Sequence, residues 1–188
     1  MFWQQSHAND AQNVEIIGEL GKECLFAAVA KNSKIKSEDD INKDTKIAIG
    51  NPNSGSYASW QYLRSLNKDY AEAKTFAEDG NTTLAKVATG QIDMFVWVAS
   101  KDKANKNLSI VMAEYSQFKW IPLDDLNLND KLPNGNAVYS FEKSITKEGT
   151  FSDDTVKAPC TDVLVVVNKN EDNSLIADDV AGILLPVS

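Results

Sequence analysis

Histidine is nearly missing from this chain: among 188 residues there is one, His7. That argues against the common zinc sites, and a serine nucleophile would have only His7, alone at the N-terminus, as its base. Cysteine is scarce as well. Cys24 and Cys160 stand far apart in no C-x-x-C spacing, and read either as two buried thiols or as one long-range disulfide of an exported protein. No apolar stretch approaches the roughly 20 residues that a membrane-crossing helix needs. The longest, CTDVLVVVN, fits a buried strand. Basic charge is short: 19 Lys and Arg against 27 Asp and Glu give a net charge of −8. No basic patch stands out to neutralise phosphates, which argues against nucleic acid as a partner. The opening MFWQQSHAND lacks the basic start and sustained apolar run of a signal peptide. Apolar bulk at its first residues reads as a chain entered in mid-fold.

What is present is ordinary globular material, with 43% apolar and 24% charged residues, enough to bury a real core. Strands are expected at Val14 to Gly18, Cys24 to Ala30, Lys46 to Ile49, Ala73 to Ala77 and Ile92 to Ser100. Ser37 to Ile41 reads as one capped helical turn. Tyr57 to Leu66 carries Trp60, Leu63 and Leu66 at helical spacing. In EDGNTTLAKVATGQ, Asn81 or Thr82 is the expected N-cap and Gly90 the stop. Lys46 to Ser100 thus alternates strand and helix, the pattern of parallel α/β winding. Further on, KWIPLD, Val138 to Phe141 and Val163 to Val167 read as strands, LSIVMAEYSQF fits helix or strand, and LIADDVAGILL opens a helix.

The stretch IAIGNPNSGSYASW holds the main chemical candidate. A strand runs into a Gly, Asn, Pro and Ser loop and then directly into a helix. The glycine pattern is neither a Walker A loop nor G-x-G-x-x-G. What remains is a set of backbone N–H groups from Asn53 to Tyr57, with the hydroxyls of Ser54 and Ser56, suited to a carboxylate or phosphate. The plainer reading is a strand-to-helix turn with a serine cap. Asn81, Thr82 and Thr83 repeat the theme at the next helix start, and parallel winding puts both starts on one sheet edge; ordinary capping is the rival there too. On the strand DMFVWV, Phe95 is expected in the core and Trp97 at a pocket wall. No acid–base pair or nucleophile stands out, and no metal or cofactor is implied.

Several motifs in order resemble the TAXI-type solute-binding proteins of tripartite (TRAP) transporters. IKSEDDINKDTKIAIGNPNSGSY resembles their DL-GK-V-vG-pGSGt segment, and LAKVATGQIDMFVWV their al-dG-iDa-f segment. FKWIPLDD, Tyr139 and TVKAPCTDVLVVVN follow in family order. QQSHA resembles vQsD, with His7 at the usual aspartate, and Asn53 replaces a usual glycine. The resemblance implies an α/β, type 2 periplasmic-binding-protein-like fold of two lobes joined by crossing strands. Residues 1–30 would be part of the first lobe and one crossing strand, 31–153 a complete α/β lobe, and 154–188 the return strand with the start of the first-lobe C-terminal portion. Cys24 would lie on one crossing strand and Cys160 just before the other, which makes a bridge conceivable.

The resemblance further implies non-catalytic binding of a small anionic solute, an amino acid or dicarboxylate, for uptake through membrane permease subunits on the outer side of the membrane. Its ligand set would be Ser54, Gly55, Ser56 and Tyr57, with Gln5 and Ser6 from the other lobe, framed by Asn81, Thr82, Thr83 and Trp97. A ligand-sensing or interaction domain on the same fold is the alternative, and an enzyme acting on a small anionic metabolite a more distant one. A lobe with uncovered strand edges would favour a homodimer.

Overall fold

The computed structural model describes residues 13–101, 117–128, 130–131, 135, 137–147 and 154–169. The helix expected in LIADDVAGILL, most of LSIVMAEYSQF, and Gln5, Ser6 and His7 lie outside these residues. The chain divides into two compact units, Glu23–Thr161 and the flanking stretches Met1–Lys22 with Asp162–Ser188. In the flanking unit the described residues are the outer halves of two strands, β1 (Val14–Ala30) and β7 (Asp154–Asn168). Lys22 Nζ lies 3.9 Å from Asp162 Oδ1, and Lys169 N–H donates to Asn13 O at 2.6 Å, so these halves run side by side in opposite directions. Sequence pattern had split β1 at its charged middle. The strand instead continues through it, with Gly21 at φ +124, a backbone conformation that glycine takes without steric cost.

The larger unit is built on a sheet. Its path is β3-β2-β4-β1-β7-β6, from β2 (Lys46–Ala48), β3 (Lys74–Phe76), β4 (Met94–Ser100) and β6 (Ser140–Lys147), and β5 (Phe118–Trp120) pairs with β1 off that path. β2 pairs parallel with both β3 and β4, as the alternating pattern predicts, while β4 and β5 pair antiparallel with β1. Strand alternation sorts the core into two faces. Leu25, Ala27, Val29, Met94 and Val96 meet Trp60 and Leu63 of helix α1 (Gly55–Leu66) on one face. Cys24, Phe26, Ala28, Phe95, Trp97 and Ala99 meet Leu84 and Val87 of helix α3 (Gly80–Ala88) on the other. All of Cys24 to Ala30 is buried, which explains why CLFAAVA shows no polar alternation.

A short helix α2 (Lys68–Glu72), absent from the sequence expectation, precedes β3. Its start depends on Asn67, whose side-chain oxygen accepts from Asp69 N–H at 2.9 Å and Tyr70 N–H at 3.1 Å. Asn67 also ends α1, so one residue separates two helices that periodicity reads as helix and loop. α2 delivers Tyr70 to the core, where it stacks on Trp60 with centroids 4.8 Å apart. The disulfide left open by the sequence is formed between Cys24 and Cys160, and Cys160 lies inside β7 rather than before it.

Tyr70 also meets a carboxyl whose partial burial makes stability depend on pH. Its hydroxyl donates to Glu38 Oε2 at 2.9 Å, and Asp124 N–H donates to Glu38 Oε1 at 3.1 Å. Glu38 belongs to the 3-10 turn Glu38–Asp40, capped by Ser37 as expected. Partial burial pushes its carboxyl above the ordinary value of 4.5, aided by the negative charges of Asp124 and Asp125 and opposed by the two hydrogen bonds. A carboxyl whose pKa is raised on folding binds protons more readily in the native state. Its contribution is therefore fully present below pH 4.5 and is lost as pH rises through the folded pKa. Asp40, fully exposed and held below 3.8 by N–H groups of Lys36 and Ser37, acts in the opposite sense at lower pH. Denaturant midpoints measured while pH is raised from about 4 should fall more in the wild type than in Glu38→Gln. Parallel curves would show that Glu38 does not titrate abnormally.

Candidate functional site

β2, β3 and β4 run parallel, so the loops leaving their C-terminal ends share one edge. Two backbone bonds tie the first two loops together: Ile49 N–H donates to Phe76 O and Gly50 N–H to Glu78 O, both at 3.0 Å. The starts of α1 and α3 are thereby neighbours on that edge.

The α1 start is shaped by close packing. Gly50 sits at φ +79, and a Cβ there would lie 2.7 Å from Ser54 Oγ; only glycine permits the loop to close this tightly. Ser54 is the N-cap, with extended backbone. Its hydroxyl donates to Asn51 O at 2.8 Å and accepts from Tyr57 N–H at 3.1 Å. Ser56 is buried, and its Oγ accepts from Val98 N–H at 2.8 Å. β2 pairs with β4 at Met94 and Phe95 and then stops, so the helix start takes over the edge of β4 where the ladder ends. Gly55 is exposed and rests over Val98, 3.8 Å from where a Cβ would stand.

Both serine hydroxyls are therefore engaged within the protein, a role that the candidate ligand set did not include. What the turn still offers is backbone. Tyr57 N–H goes to the cap and Ala58 N–H to Ser54 O at 3.1 Å, while the N–H groups of Gly55 and Ser56 have no acceptor among the described residues. Two such donors at the positive end of a helix dipole form a compact seat for one anionic group. Tyr57 is half-buried and packs on the core at this turn.

The second helix start differs from expectation. Its N-cap is Asp79, not Asn81 or Thr82, and the Asp79 carboxylate accepts from Gly80 N–H at 2.6 Å. The helix thus starts two or three residues earlier than expected, with Gly80 at φ +76. A carboxylate already occupies this helix end, which opposes a second anion there. Asn81 and Thr82 are exposed in the first turn. Thr83 is 1% exposed and its hydroxyl donates to Asp79 O at 3.0 Å. Trp97 is likewise no pocket wall: it is 2% exposed, stacked on Phe95 at 5.0 Å and packed against Phe26 and Trp120. Its strand points it to the face opposite α1, a distinction that position along the strand does not reveal. The sequence signals that could have corrected these readings are the Asp-Gly pair, a strong cap followed by a permissive residue, and the even spacing of Trp97 with Phe95.

An open cavity of about 590 Å³ lies at the other end of the parallel strands, beside Asp40, Asp44, Thr45 and Asp93. Its polar groups serve the fold: Asp93 accepts from Lys46 N–H at 2.8 Å, Thr45 Oγ1 from Asn42 N–H at 3.0 Å, and Asp40 from Lys36 N–H at 2.7 Å. Among the described residues no group of three His, Cys, Asp or Glu could hold a metal ion, and no helix is long and apolar enough to cross a membrane.

This winding, with two long strands running through both units, is a type 2 periplasmic-binding-protein-like α/β fold. The model of the NMT1-like family matches residues 4–177, and the chain belongs to that family. Among solved structures, the substrate-binding protein of an amino acid ABC transporter is similar at 15% identity and a TM-score of 0.51, over 94% of this chain and 58% of the other. An ancestral arginine-binding protein bound to arginine gives 16% identity and a TM-score of 0.51, over 94% and 59%. The periplasmic VFT2 domain of BvgS from Bordetella pertussis gives 12% and 0.47, over 96% and 58%. The chain thus spans less than two thirds of the length of these structures. No curated protein matches it.

Replacing Ser56 with Ala would leave the Val98 N–H without its acceptor and should cost about 1–3 kcal/mol. Gly50→Ala should cost at least about 1–2 kcal/mol for the left-handed backbone alone, with the contact to Ser54 added. Urea unfolding checks both. An unchanged midpoint in Ser56→Ala would mean that the Ser56–Val98 bond does not hold the helix start.

Proposed function

We propose that this chain binds a small carboxylated solute, an amino acid or dicarboxylate, without catalysis, and that the anionic group sits on the Gly55 and Ser56 N–H groups. The observation that carries the reading is this pair of unpartnered donors at an exposed helix start, on the edge where the parallel strands end. The neighbouring helix start is occupied by Asp79, which directs an anion to α1. Solved structures of the same fold include proteins described as binding amino acids, which supports the choice of solute class. The motif resemblance to TAXI-type proteins supports a role outside the cytoplasmic membrane, handing solute to TRAP permease subunits, with Tyr57 at the rim of the site.

The serine hydroxyls are poor probes, because their loss disturbs the turn itself. Gly55→Pro is sharper: proline suits the first helical position, where it removes one N–H and keeps the helix. Thermal unfolding against amino acids, dicarboxylates, phosphate and sulfate should show a selective rise with a carboxylate. A ligand at about 100 times its Kd adds about 2.7 kcal/mol. Gly55→Pro should weaken that ligand by about tenfold, or about 1.4 kcal/mol, with its own unliganded transition unchanged. A panel without any shift, or full affinity in Gly55→Pro, would overturn the assignment.

A further inference from the structure

β1 and β7 are the two strands that leave the larger unit, at Glu23 and Thr161. One residue inside each exit stands a cysteine, and the two are joined, with Cα atoms 4.0 Å apart. Both are buried, at 1% and 0% exposure. In the sheet path β4 flanks β1 and β6 flanks β7, with Ala99 opposite Cys24 and Ser140 opposite Cys160. Directly opposed residues share a face. Ala99, Cys24, Cys160 and Ser140 therefore lie on the face that also holds Trp97 and Phe26.

On that face a β6 side chain reaches the disulfide. The Ser144 hydroxyl, 2% exposed, donates toward Cys24 Sγ at 3.8 Å. Two residues earlier on the same face, Glu142 opposes Ala158 and forms an ion pair with Lys101, which follows the end of β4. Ser140 Oγ donates to Glu142 Oε1 at 2.9 Å. β4 and β6 lie on opposite sides of β1 and β7, so a bond between Lys101 and Glu142 must pass across the strands that carry the disulfide. At 27% and 21% side-chain exposure, the pair is the partly wetted outer layer over a dry sulfur bridge.

We propose that the Cys24–Cys160 disulfide is a redox-sensitive clamp on the two exit strands, latched by the Lys101–Glu142 pair. Reduction by a dithiol proceeds by attack of its thiolate on one sulfur. The S–S bond breaks with formation of a mixed disulfide, and the second thiolate then displaces the protein sulfur. Two electrons pass from the dithiol to the protein, which ends as two protonated thiols, and the dithiol ends as a cyclic disulfide. The attacking sulfur must approach the bridge, so the β6 side chains against it have to move aside, and the latch opposes that movement. Once the bridge is cut, β1 and β7 are held at the exits by non-covalent contacts alone.

The test uses the whole chain with dithiothreitol as the probe, trapping free thiols with a maleimide and reading the mass over time. Lys101→Met and Glu142→Gln should each be reduced about tenfold faster than wild type, as expected when access follows a local opening. Lys101→Arg, which keeps the pair, should stay within about twofold. Equal rates in wild type and the first two variants, with far-UV circular dichroism showing them folded, would overturn the latch. Hydrogen exchange of the wild type tests the clamp and needs no variant. After reduction, amides of Val14 to Lys22 should exchange about tenfold faster while those of Met94 to Ser100 keep their protection. Unchanged exchange in Val14 to Lys22 would overturn the clamp. Neither readout involves the solute site, so their failure is distinct from a failure of the proposed binding function.

Discussion

The structure depends on the complete burial of Cys24 to Ala30. This half of β1 has β4 on one edge and β5 with β7 on the other, and a helix packs over each face of its sheet. A strand buried on both faces has no solvent side, so every residue on it must find an apolar partner. Odd positions meet α1 and even positions meet α3. The two helices are therefore fixed by one strand, and with them the loops that precede them. The helix start at Gly55, the proposed anion seat, follows from that chain of dependence: β1 positions β4, β4 presents Val98 N–H, and Ser56 takes it.

Local charge distinguishes two otherwise similar helix starts. The chain carries a net charge of −8, an unpromising background for an anionic ligand. Background charge matters less than the few groups at the seat, because exposed charges are screened within about 8–10 Å at ordinary ionic strength. At α3 the fold spends its first-turn donor on its own Asp79. At α1 the cap is neutral, so the dipole remains available. One serine in place of one aspartate separates a capped end from a receptive one.

The strands and helices of the parallel winding were legible because Trp60, Leu63 and Leu66 repeat at helical spacing and the strands are short apolar runs between turn residues. α2 was not legible, because KDYAE has no apolar stripe and owes its existence to Asn67 and to the stack of Tyr70 on Trp60. The candidate loop was found from composition, with Gly50, Ser54 and Ser56 all in it. Which of its groups face outward was not, because hydroxyl orientation is set by Asn51 and Val98, one local and the other 42 residues from Ser56. That Trp97 is buried with Phe95 was not legible for a similar reason, since what covers each face of a strand is decided by the helices that pack on it.

By itself the sequence determined the alternation of strand and helix, the glycine and serine turn, the acidic surface and the scarcity of catalytic side chains, because each of these is a local property of neighbouring residues. Tertiary structure decided the rest. It joined Cys24 to Cys160 across a sequence separation of 136, gave the serine hydroxyls partners within the protein and left the Gly55 and Ser56 amides without an acceptor among the described residues. Those outcomes depend on which distant strand arrives beside which loop, and contact across the sheet, not order along the chain, sets the partner of each polar group.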